Sequence, residues 1–165
     1  MHTPLATESL PADKPALYSQ LARQLASLVA EERDWIANTA NCAALLFQTL
    51  PDINWAGFYF LKGEDLVLGP FQGRPACVRI GPGRGVCGAA VVQQRTMLVP
   101  NVEEFPGHIA CDSASRSEIV IPLSVNQNVI GVLDVDSPAL GRFDDDDAAG
   151  LEEIVRVLLA ASDVE

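Results

Sequence analysis

Positive charge is what this sequence has least of: 11 lysines and arginines stand against 22 aspartates and glutamates, a formal net charge of −11 over 165 residues. A surface so acidic repels polyanions, which argues against nucleic acid and anionic membranes as partners. No apolar run reaches the length needed to span a bilayer. The opening "MHTPLATESLPADKP" has no basic segment leading into an apolar one, so no signal peptide is read and a cytoplasmic location is expected. Internal repeats and compositional breaks are missing as well. The chain is therefore expected to form one domain, 14–162, behind a flexible leader, 1–13.

Cysteine is sparse, and none of Cys42, Cys77, Cys87 and Cys111 belongs to a C-x-x-C pair. The spacing of the last three does not fit the common zinc modules with His108, so no metal is expected. A hydrolase dyad of Cys111 and His108 is set aside too; the other histidine, His2, lies in the leader. Cys42 sits in an apolar helical pattern and is read as packing. In a reducing compartment the remaining thiols point to redox chemistry rather than to a disulfide framework. The loop "GPGRGVCG" lacks both the Lys-Ser/Thr ending of a phosphate loop and the G-x-G-x-x-G dinucleotide pattern, so no bound cofactor is expected. Its amides could still hold an anion, with Arg84 assisting.

Leu17, Leu21, Leu25 and Leu28 recur at helical spacing, and Trp35, Ile36, Ala43, Leu46 and Leu50 mark a second helix. "NWAGFYFLKGEDLVLGPF" predicts two strands around a glycine turn, and "ACVRIG" a third that contains Cys77. A short helix follows the glycine-rich loop, and 95–115 is expected to be loop around one apolar run, "TMLVP". "SEIVIPLSVNQNVIGVLDVDS" predicts a hairpin around a three-residue turn, 126–128, and "FDDDDAAGLEEIVRVLLAAS" a closing helix. Its four aspartates, 144–147, are read as an N-cap and a solvated first turn. The order α-α-β-β-β-α-β-β-α predicts an α+β fold: an antiparallel central sheet, N- and C-terminal helices on one face and a loop-roofed pocket on the other.

Strand alternation puts Asp134 and Asp136 on one face, and a hairpin closed at 126–128 places Glu118 opposite Asp136. These acids are either solvated strand ends or a cluster built to hold a cation or a shared proton. On the first strand Trp55 and Tyr59 share a face, either as core or as a pocket wall with polar tips.

Four stretches, "NWAGFYFL", "LGPFQGRPACVRIGPGRGVCG", "GHIACDSASRSEIVIPL" and "IGVLDVDSPALGRF", resemble the free methionine-(R)-sulfoxide reductases, which are single GAF domains. The resemblance implies reduction of free methionine-R-sulfoxide by a homodimeric enzyme of oxidative-stress defence, with thioredoxin as external reductant. It carries Cys111 onto the attacking thiol and Cys77 onto the resolving one. Cys87 matches the third family cysteine, to which members give different parts. Within that reading Glu118 and Asp136 would share and supply a proton, and Asp134 would hold the substrate ammonium. Trp55 and Tyr59 would enclose the methyl end, and the segment ending at Ser117 would offer amides to the substrate. Two rivals remain at this level: a GAF domain that senses a small molecule, and a thiol sensor of oxidants.

Overall fold

The computed structural model describes residues 9–164. Residues 1–8, most of the expected leader, lie outside the described residues. Asp13 caps helix α1 (Lys14–Leu28) by accepting from the Ala16 amide, with Pro15 in the first turn where its missing N–H costs nothing. Asp34 caps α2 (Trp35–Thr49) in the same way through the Ala37 amide. Then come β1 (Trp55–Lys62), β2 (Asp65–Gly73), β3 (Arg79–Ile80), α3 (Gly85–Gln93), β4 (Met97–Val99), a 3₁₀ turn at Val102–Glu104, β5 (Ser117–Val125), β6 (Asn128–Ser137) and α4 (Asp145–Ala161).

The six strands form one antiparallel sheet in the order β3-β2-β1-β6-β5-β4. Alternation sorts their side chains into two cores. Ala56, Phe58, Ile119, Ile121, Leu133 and Val135 face α1, α2 and α4, where Leu21, Leu25, Leu46, Leu151 and Leu158 are fully buried. Trp55, Tyr59, Val120 and Val132 face the other way, against α3 and the long loops. Among the described residues, no helix is long and apolar enough to cross a membrane.

Several local expectations need correction. "TMLVP" is a strand, β4, because its backbone pairs with the start of β5, Val99 opposite Glu118. Cys77 is not in a strand: Pro75 offers no N–H for a ladder, and pairing resumes only at Arg79. Ile36 is 55% exposed, on the outer side of α2. The hairpin turn is also tighter than expected, with Asn126 and Gln127 both at positive φ (50° and 67°) and Val125 paired with Asn128.

The aspartates 144–147 are only partly a solvated turn. Asp144 and Asp147 make a reciprocal capping box, but Asp147 is completely buried. Its carboxylate accepts from Tyr18 Oη at 2.8 Å, Lys14 Nζ at 2.6 Å and Arg142 Nη1 at 3.1 Å. These bonds pin the start of α1 to the start of α4.

Candidate active site

On the α3 side of the sheet lies a cleft of about 550 Å³, counting the space that opens to solvent. Its floor is acidic. Glu118 and Asp136 sit directly opposite each other on β5 and β6, and Asp134 lies two residues along the same face. Glu118 is 6% exposed and Asp134 7%, while Asp136 is half-buried. Among the described residues, no lysine or arginine lies within 4.0 Å of these three carboxyls.

Burial without a cation disfavours ionisation, and crowding adds to it. Desolvation raises the Glu118 carboxyl well above its ordinary value, with the Asp136 charge adding to the effect. Asp134 is raised by burial and then by Glu118, and Asp136 by burial and then by Asp134. All three shifts favour keeping a proton within the cluster, where it is available for donation. His108 Nε2 lies 3.4 Å from Glu118 Oε2. Burial lowers the His108 pKa and raises that of Glu118, so both shifts disfavour an ion pair across this contact.

Above the acids, Cys111 and Cys77 are joined by a disulfide, with Cα atoms 5.7 Å apart. Cys111 is exposed at the cleft mouth and Cys77 is half-buried. Two loops must meet for this bond to form, and both hang from the start of β1. Asn54 Nδ2 donates to Asp112 Oδ2 at 3.2 Å and to Ser115 Oγ at 3.0 Å, holding the Cys111 loop. The next residue, Trp55, donates its indole N–H to the Arg74 carbonyl at 3.1 Å, and Tyr59 Oη donates to the Cys77 carbonyl at 3.0 Å.

The Trp55 and Tyr59 rings stack at 5.9 Å, at once part of the α3-side core and lining of the cleft, and their polar tips hold the loop of Cys77. The role of Asn54 is not legible in the sequence. An asparagine just ahead of a strand carries no signal of its own, and only the distance to Asp112 exposes it.

Cys87, in the first turn of α3, is 3% exposed beneath the disulfide, and its thiol is pushed well up by burial and then by Asp134. Its sulfur and one oxygen each of Glu118 and Asp134 lie within 4.8 Å of one another. Cys42 lies in the helix-side core, where burial raises its thiol to about 12. The expectation for Ser117 is corrected. It is fully buried on the opposite face from Glu118, donating to the Ala139 carbonyl at 2.6 Å, and does not line the cleft.

The GAF domain model matches residues 10–161. The free methionine-R-sulfoxide reductase of Escherichia coli is 53% identical over 146 residues, 88% of each chain. The chain belongs to the free methionine-R-sulfoxide reductase family of GAF domains. The reductase of Saccharomyces cerevisiae is 38% identical over 88% of this chain and 86% of its own. The solved structure of the reductase from Neisseria meningitidis in complex with its substrate superposes with a TM-score of 0.91 at 46% identity, covering 98% of this chain and 95% of that one. Membership of the reductase family makes the protein an oxidoreductase, which the fold by itself would not do.

Proposed function

We propose that this enzyme reduces free L-methionine-(R)-S-oxide to L-methionine, with Cys111 as nucleophile, Cys77 as resolving thiol and thioredoxin as the recycling reductant. The observation that carries the reading is the Cys77–Cys111 bond over a floor of uncompensated acids, in a chain of this family.

The substrate ammonium enters against Asp134, whose Oδ1 is buried without a hydrogen-bond partner among the described residues. A peptide-bonded methionine has no ammonium to offer there, which accounts for selectivity toward the free amino acid. The Trp55 and Tyr59 rings flank the thioether end.

The Cys111 thiolate attacks the sulfoxide sulfur while protonated Glu118, sharing its proton with Asp136, donates to the sulfoxide oxygen. The attack forms an S–S bond to the substrate and the S–O bond breaks; the oxygen then bonds to the Cys111 sulfur as the S–S bond breaks, which leaves a sulfenic acid and releases methionine. The Cys77 thiolate then attacks the Cys111 sulfur, water departs and the disulfide forms. The reductase cycle closes when thioredoxin returns two electrons and two protons through the exposed Cys111. No resident metal or cofactor is needed.

The reading extends to a cytoplasmic homodimer. Ile36 and Phe47 are 55% and 37% exposed on one side of α2, about three turns apart, an apolar strip suited to a second copy. NADPH oxidation coupled through thioredoxin and its reductase, with free methionine-R-sulfoxide as substrate, tests the activity. Turnover no higher than that of a Cys111→Ser control would refute it, as would racemic sulfoxide consumed to completion.

A further inference from the structure

The cleft floor holds a donor set that the proposed turnover uses only in part. Cys87 is not in the disulfide, yet its sulfur lies within 4.8 Å of one oxygen each of Glu118 and Asp134. Asp134 is 7% exposed, and its Oδ1 has no hydrogen-bond partner among the described residues. This set lacks a positive charge. An ammonium can supply one to the carboxylates, but it gains little from a sulfur. A borderline-soft divalent ion binds sulfur and oxygen together.

Zinc bonds of about 2.0–2.3 Å put the ligand atoms of a tetrahedral site about 3.3–3.8 Å apart, so the three donors need to close by about 1.5 Å at most. His108 Nε2, 3.4 Å from Glu118 Oε2, stands where an outer partner orients a ligating carboxylate. All three residues line the cleft, so the fourth position is left to water.

We infer that Cys87, Glu118 and Asp134 form a Zn²⁺-binding site, and that zinc held there shuts the reductase. On binding, the Cys87 thiol proton and any proton held by Glu118 and Asp134 are released to solvent as the S–Zn and O–Zn bonds form; no electrons move. The ion takes the Asp134 oxygen assigned to the substrate ammonium, so zinc and substrate exclude each other. Because the Cys77–Cys111 bond uses none of the three ligands, the site persists in the disulfide-closed protein. The inhibition rests on the function proposed above, whereas the binding does not.

The binding is tested on the disulfide-closed protein, where Cys77 and Cys111 cannot ligate. Co²⁺ should give a thiolate-to-cobalt charge-transfer band that saturates at one equivalent and is displaced by Zn²⁺. Cys87→Ser should abolish the band, Asp134→Asn should keep it while weakening Zn²⁺ binding by about 10–100-fold, and Cys42→Ser should change neither. With free methionine-R-sulfoxide and reduced enzyme, Zn²⁺ should raise KM and leave kcat unchanged. A band that survives Cys87→Ser, no saturable band at all, or unchanged zinc affinity in Asp134→Asn would overturn the site. Zinc bound at the site without effect on turnover would overturn the inhibition. Absence of turnover in metal-free enzyme would overturn the functional reading instead, leaving the binding result standing.

Discussion

The proposed mechanism asks two opposed things of Glu118: to stay folded in a place that penalises its charge, and to deliver a proton from there. Replacing it with glutamine separates them. Glu118→Gln should lower kcat by about 10²–10⁴-fold, the usual contribution of a positioned general acid, with an unchanged circular dichroism spectrum. Near-normal turnover would take Glu118 out of the mechanism. The same variant should be more stable than the parent at neutral pH. A carboxyl whose folded pKa is raised binds its proton more tightly in the native state than in the unfolded chain. Below the ordinary carboxylate range, about pH 4, both states are protonated and the group costs nothing. As pH rises, the unfolded chain ionises first, and the native state loses ground by about 1.4 kcal/mol for each further pH unit until the folded pKa is passed. Glutamine does not ionise. Thermal melts should therefore show Glu118→Gln above the parent at pH 7, with the gap closing towards pH 4; a gap independent of pH would mean that charge burial is not its source.

Elements are more legible in the sequence than the details that join them. The two β-branched runs around 126–128 mark the hairpin, and a three-residue turn there is enough to pair Glu118 with Asp136. The structure reaches the same pair by another route: the turn holds two residues, which shifts every partner by one, and a bulge between Leu123 and Ser124 shifts the ladder back. Sequence pattern sees which face is apolar, and both routes satisfy it, so neither the turn nor the bulge is visible individually. Asp147 shows the same limit on a helix. Four consecutive aspartates look alike, but only the one facing Tyr18, Lys14 and Arg142 is buried, and those partners lie on other elements. Removing a buried, paired charge strands its partners, at a cost of about 3–5 kcal/mol. Asp147→Ala should lose about that much in urea unfolding, whereas Asp146→Ala, exposed in the same turn, should change stability by less than about 0.5 kcal/mol. Equal losses in the two variants would mean that the acidic turn acts only through the helix dipole.

Across the whole molecule the sheet divides labour. Its helix side is a closed apolar core, and its α3 side carries chemistry under a roof of two loops. The first is readable from leucine spacing. The second is not, because the roof is set by single contacts from Asn54, Trp55 and Tyr59 that no periodicity reveals. The disulfide closes a sequence separation of 34 residues, and loop-closure entropy assigns such a link about 3–4 kcal/mol. Since it bonds one roof loop to the other, with both cysteines outside the helices and strands, its loss in the proposed cycle should loosen the roof and spare the rest. Hydrogen exchange of the oxidised and dithiothreitol-reduced protein should differ at 74–78 and 108–115 and agree across β1, β6 and the helix-side core. Local opening of this kind lets substrate enter a reduced cleft. Protection lost evenly over the sheet would mean instead that the bond braces the entire fold, and the division of the molecule into a stable half and a working half would fail.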